Sequence, residues 1–219
     1  MIDRSAIQWG FSAASLAVVL VVLAATAAAA EGDPYAADRQ ALAERLQGVR
    51  VYSADFTQTV YGVRGEILEQ SSGYVRLDRP RFKWVVNDPY AQVLVTEDDK
   101  LKLYDPDLEQ LTVRPLEEAL QDTPVSLLTR DAVALTGTFD VMRLDDARGD
   151  SFVIEPTADD TLYREILLHF EAGTLTGLDI LDHLGQRTEV RFEPDSGVTD
   201  IDPETFTLEV PPGTDVVGG

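Results

Sequence analysis

Apolar positions change their period as the chain is read. After Asp33-Pro34, a helix N-cap followed by proline at the first helical position, Tyr35, Leu42, Leu46 and Val49 recur at helical spacing until Gly48 and the β-branched residues that follow. One amphipathic helix is predicted there. From Val51 the period becomes two: Ala54, Phe56 and Val60 alternate with Asp55, Thr57 and Thr59. Similar short runs follow at 73–78, 82–87, 92–96, 101–105 and 109–114, separated by the turn signals Arg79-Pro80, Asn87-Asp88-Pro89, Glu97-Asp98-Asp99-Lys100 and Asp105-Pro106-Asp107. This is the pattern of an antiparallel meander.

The alternation breaks between Leu116 and Leu135. Leu116, Ala119 and Leu120 make a helical turn, and Thr123-Pro124 opens a further helix carrying Val125, Leu127 and Leu128. Strands then resume at 139–144, 151–155, 163–170, 175–182, 187–193 and 206–210, with Gly173 and Gly185 in hairpin turns. Twisted sheets rarely exceed ~10 strands without curling, so eleven or twelve consecutive strands predict a curled sheet with a concave apolar face. The two helical segments are the natural cover for that face. The expected fold is mainly β, a curled antiparallel sheet of about eleven strands covered by short α-helices, with the space beneath them either packed or partly empty.

The first thirty residues follow a different rule. Arg4 precedes an apolar run from Leu16 to Ala25 and then Ala27-Ala28-Ala29-Ala30, the layout of a secretory signal peptide. A membrane anchor over Gly10 to Ala30 is the rival reading, since a span needs roughly 20 apolar residues. The small residues and the turn-like Glu31-Gly32-Asp33-Pro34 favour cleavage. The expected organisation is a signal peptide at 1–30 and one exported domain at 31–219. Removing the signal deletes Asp3 and Arg4 and leaves the net charge unchanged.

That charge is −21, from 39 Asp+Glu against 18 Lys+Arg, and it excludes a nucleic-acid binder, which needs a basic footprint to release counterions. The acids are spread along the chain, as at Glu97-Asp98-Asp99, Asp145-Asp146 and Asp159-Asp160. A solvated acidic surface is the plain reading; a basic partner or saline surroundings are the alternatives. The chain has no cysteine, which removes disulfides, thiolate metal sites, thiol nucleophiles and an N-terminal lipidated cysteine. His169 falls inside a strand and His183 in a hairpin turn, without a Gly-x-Ser-x-Gly elbow, a phosphate-cradling loop or a His-Glu-x-x-His pair. No catalytic residue, metal or cofactor is therefore expected, and the protein is read as a non-enzyme.

The turn and strand residues are more specific. Phe56-Thr57-Gln58, Gly73-Tyr74-Val75-Arg76-Leu77, Arg79-Pro80-x-Phe82-x-Trp84, Gln92 to Val95 and Tyr104-Asp105-Pro106-Asp107-Leu108-Glu109-Gln110 run in order. Thr123-Pro124, Leu127-Leu128, Phe152-x-Ile154-x-Pro156, Phe206-Thr207-Leu208 and Pro211-Pro212-Gly213-Thr214-Asp215-Val216 continue the series. Together they resemble the outer-membrane lipoprotein carrier family, LolA, over nearly the whole exported domain. The resemblance implies an incomplete, half-open antiparallel β-barrel of about eleven strands covered by short α-helices, a periplasmic monomer whose apolar interior cavity receives the acyl chains of lipoproteins released by the inner-membrane Lol ABC transporter. It also implies delivery to the outer-membrane receptor LolB. LolB is similar but is held by a lipidated cysteine, which this sequence lacks, so a soluble shuttle is the expectation.

The resemblance further implies a latch. Its arginine matches Arg79, which would hydrogen-bond backbone carbonyls of the helical lid and keep the empty carrier closed; Arg81 is the nearest alternative. Phe56, Phe82, Trp84, Leu94, Leu101, Leu103 and Phe152 alternate with polar neighbours and are expected to face inward as candidate acyl-chain contacts. Periodicity does not separate cavity lining from packed core. Leu42, Leu46, Leu127 and Leu128 would form the underside of the lid. A periplasmic module on the same fold that senses lipid or polypeptide without transporting it is the alternative function.

Overall fold

The computed structural model describes residues 33–121, 128–129, 138–145, 149–158 and 161–218. The first helix, α1, spans Ala36–Gly48 and presents Leu42 and Leu46 to the core. It starts two residues after the expected position. Asp33 accepts from the Tyr35 N–H through its carboxylate at 3.0 Å, and its carbonyl accepts from the Ala36 N–H at 3.2 Å. Asp33-Pro34 is thus a turn that leads into the helix.

Six strands follow: β1 (Val51–Tyr61), β2 (Ile67–Asp78), β3 (Arg81–Asp88), β4 (Gln92–Glu97), β5 (Lys100–Asp105) and β6 (Gln110–Pro115). After the short helix α2 (Leu116–Gln121) come β7 (Phe139–Asp145), β8 (Asp150–Pro156), β9 (Tyr163–Glu171), β10 (Thr174–Asp182) and β11 (Arg187–Pro194). The last strand, β12, is Asp215–Gly218. Two of the expected features are corrected here. The segment 206–210 is not a strand: Phe206 closes a 3-10 turn, Pro203–Phe206, whose start is capped by the Asp202 carboxylate. And β12 pairs with β6 in parallel, Val216 opposite Leu111, so the sheet is not wholly antiparallel.

All twelve strands form one open sheet in the order β12-β6-β5-β4-β3-β2-β1-β11-β10-β9-β8-β7. The main core draws on β1 to β3, on β7 to β11, and on Leu42, Leu46 and Leu128. Strands as far apart in the sheet as β3 and β7 reach a common core only if the sheet curls around it. Gly73 belongs to this curvature. The β2–β3 register shifts there, and a Cβ at this position would lie 1.8 Å from the Val85 carbonyl oxygen. Opposite it across β1–β2 is Phe56, whose ring stacks on Trp84 at 4.0 Å.

The outer side of β4 to β6 is also covered. Val95 packs with Ile201 and Phe206, while Tyr104, Leu111 and Val113 pack with Leu208 and Val210. Lys83 ties this C-terminal segment down, its ammonium donating to the Thr205 carbonyl at 2.7 Å and the Thr207 carbonyl at 3.3 Å. Burial pulls the Lys83 pKa below its usual value, although the nearby Glu97 opposes that shift.

Helix α1 is anchored at the other end of the sheet. Asp150 on β8 accepts from Arg143 of β7 at 2.7 Å and from Arg45 of α1 at 2.8 Å, and Asp38 accepts from the Arg143 backbone N–H at 3.0 Å. Those hydrogen bonds, Arg143 first, hold the Asp150 carboxyl below the ordinary range. One carboxylate thereby joins the helix to the edge strands.

Candidate functional site

Strand residues of one parity line the inner side. Phe56, Phe82 and Phe152 are buried in the main core, the last two fully. Trp84 and Leu94 are half-buried and pack against that core. Leu42, Leu46 and Leu128 close over it from the helical side; Leu127 lies outside the described residues. One phenol within this core has its partner. The Tyr52 hydroxyl donates to the Leu175 carbonyl at 2.7 Å, and burial, then the Asp195 charge, pushes the phenol above its usual range.

The predicted contacts are not equivalent, because exposure rises along one row of the sheet. Val75 pairs with Trp84, Trp84 with Leu94, and Leu94 with Leu103. Val75 is 1% exposed and Leu103 37%. Leu101 is buried at the β4–β5 pair opposite Thr96. Phe82 and Phe152 therefore hold the core together, whereas Trp84, Leu94 and Leu103 lead from it toward solvent.

The Arg79 and Arg81 side chains leave the β2–β3 connection toward different partners. Arg79 Nε donates to the Leu128 carbonyl at 2.6 Å, and the Arg79 backbone N–H donates to the Arg50 carbonyl at 3.0 Å. Arg81 instead pairs with the buried Asp78, and its guanidinium carbon lies 5.1 Å from the Phe206 ring centroid on the outer-face cluster. A guanidinium bonded to the Leu128 carbonyl couples the strand framework to the helical cover.

Two features were not legible from the sequence. A cleft of about 560 Å³ is lined by Gln47, Arg50, Arg79, Pro80 and Thr129, which come from three separate stretches of chain. On the outer side, His169 bridges Ser151 Oγ at 3.1 Å and Asp179 at 3.0 Å, and Arg191 completes the ladder through Asp179. Burial disfavours the Asp179 charge, but hydrogen bonds from His169 and Arg191 outweigh it and lower the pKa. Alternation assigns Ser151, His169, Asp179 and Arg191 to polar faces; the cross-strand register that joins them is what single-strand patterns omit.

A curled open sheet, apolar on its inner side and covered there by helical leucines, places the chain among half-open β-barrel proteins with a sheltered apolar interior. It belongs to the family of the outer membrane lipoprotein carrier protein LolA, whose profile matches residues 47–209. An outer-membrane lipoprotein carrier protein from Chromohalobacter salexigens is 39% identical over 97% of this chain and 97% of its own. Another from Pseudomonas paraeruginosa is 34% identical over 83% of this chain and 89% of its own. Among solved structures, an uncharacterized conserved protein from Thermus thermophilus shares the fold, with a TM-score of 0.50 and 15% identity over 81% of this chain and 97% of that one.

Proposed function

We propose that this protein is a periplasmic carrier of lipoproteins, binding their acyl chains in the apolar interior. The reading rests on one observation: the family match at 47–209 runs from the end of α1 through β1 to β11, which supply the apolar inner face. Acyl transfer through water needs such a shelter. Exposing a chain costs about 0.8 kcal/mol per methylene, on the order of 10 kcal/mol for a dozen carbons. The work is binding and release, with no covalent step.

In this reading residues 1–30 direct export and 31–219 are the carrier domain, loaded by an inner-membrane ABC transporter and unloaded at an outer-membrane receptor such as LolB. Arg79 serves as the latch, Leu42, Leu46 and Leu128 as the underside of the lid, and Trp84, Leu94 and Leu103 as the path by which chains enter. Phe56, Phe82, Leu101 and Phe152 form the floor. Opening requires the helical cover to lift from that floor, so the loaded state exchanges packing within the core for packing against lipid.

An environment-sensitive apolar dye is expected to bind the mature protein one-to-one and to be displaced by a triacylated lipoprotein but not by its deacylated form. A folded protein that ignores both dye and lipoprotein contradicts the proposal.

A further inference from the structure

The cleft at Gln47, Arg50, Arg79, Pro80 and Thr129 brings two arginines together in an acidic chain. The chain carries a net charge of −21, and many of its described arginines, Arg45, Arg81, Arg143 and Arg191 among them, stand within ion-pair distance of a carboxylate. Among the described residues, this cleft is lined by two arginines, an amide, a hydroxyl and a proline, with no acidic side chain. Arg50 is exposed and its guanidinium has no carboxylate partner among the described residues. Two guanidinium groups beside neutral donors are the donor set that recognises a carboxylate or a phosphate.

Its position adds the second half of the inference. Gln47 follows Leu46, Arg50 follows Val49, and Thr129 follows Leu128, and those three apolar residues are all in the main core. The cleft therefore sits on the rim of the apolar interior, where a molecule with a charged end and an acyl chain could satisfy both. A free anion would use only the rim; a neutral acyl chain would use only the interior.

We propose that this cleft binds the anionic headgroup of an acyl amphiphile, a carboxylate or a phosphate ester, with the chain lodged in the interior. The inference rests on the reading that the interior admits acyl chains. It adds a second class of cargo, fatty acids or anionic glycerophospholipids. It also gives Arg79 a competing acceptor: an anion at the rim draws the guanidinium from the Leu128 carbonyl, so headgroup binding and opening of the cover favour each other.

The test measures displacement of the bound apolar dye from the mature protein by matched pairs, hexadecanoate against hexadecanol and phosphatidylglycerol against diacylglycerol. The anionic member of at least one pair is expected to compete about tenfold better, as a charge-assisted hydrogen bond gives. Arg50→Gln is expected to bring the two members together. The pair that shows the preference identifies the headgroup. Equal competition within both pairs, unchanged by Arg50→Gln, overturns the anionic site while leaving the acyl-chain reading intact. Failure of every amphiphile to displace the dye overturns both. Inorganic phosphate that weakens hexadecanoate and hexadecanol competition equally also counts against a rim site specific for the charged end.

Discussion

Arg79→Leu is expected to fold and take up lipoprotein but to deliver it poorly. Under the proposed latch, the Nε donor at 2.6 Å from the Leu128 carbonyl stabilises the closed, empty protein and is of no use once the cover has lifted. A hydrogen bond from a charged donor contributes roughly 1.5 to 3 kcal/mol, equivalent to about one to two decades in affinity. Its loss strengthens cargo binding by that factor and slows transfer to the receptor accordingly. Arg81→Leu is the control, because Arg81 faces Asp78 and Phe206 and leaves the cover alone. Transfer by Arg81→Leu should proceed at the unmodified rate. Equal, unmodified transfer by both variants removes the latch; an Arg79→Leu protein that cannot load makes Arg79 a contact for cargo or transporter instead.

Phe82→Ala and Leu103→Ala separate packing from lipid contact. Phe82 is fully buried, and truncating it costs about 3 to 5 kcal/mol through lost burial and the cavity left behind. Chemical denaturation should show that loss directly. Leu103 is 37% exposed, so its truncation should change stability by no more than about 0.5 kcal/mol. If acyl chains enter along the Trp84, Leu94 and Leu103 row, the same substitution lowers lipoprotein affinity by up to about tenfold, from partial loss of a leucine contact. A stable Leu103→Ala protein with unchanged affinity takes Leu103 off the path. A Phe82→Ala protein of undiminished stability refutes its place in the floor.

These two residues share one alternation pattern in the sequence and separate only in the folded sheet. Period two assigns both to the inner side, but exposure depends on which strands lie opposite and where the sheet ends. For Phe82 the neighbours are central strands; Leu103 sits next to β6, near the edge that β12 extends. Strands β1 to β11 were legible in their alternation, although β2 was read only at 73–78 and in fact begins at Ile67. The parallel pairing of β12 was not, since no local signal reports a strand that returns to pair with β6 from across the chain. Leu208 and Val210 look like strand residues for a different reason: they alternate while packing on the outer-face cluster, without joining the ladder.

The same distinction applies to the site. Leu42, Leu46 and Leu128 were legible from helical spacing and do meet in the core. Arg79 was singled out by family resemblance; as an isolated turn arginine it carries no local signal. Arg50, Gln47 and Thr129 were missed because the cleft arises where the end of α1 with Arg50, the β2–β3 connection at Arg79-Pro80 and the segment at 128–129 come together. Such a juxtaposition has no sequence period. Asp150 was passed over for a related reason, as one of many acids whose two arginine partners are fixed by the β7–β8 register and by the helix lying beside it.

Cross-linking from within the interior tests the central claim most directly. A photoreactive residue replacing Leu94, half-buried on the inner row, should form adducts with triacylated lipoproteins when the protein is irradiated in the periplasm, with the label on an acyl chain by mass. The same residue replacing Leu184, 82% exposed in the β10–β11 turn, should form none. Adducts at Leu94 alone are the predicted result. No lipoprotein adduct at Leu94, or equal adducts at both positions, would contradict an interior that carries acyl chains.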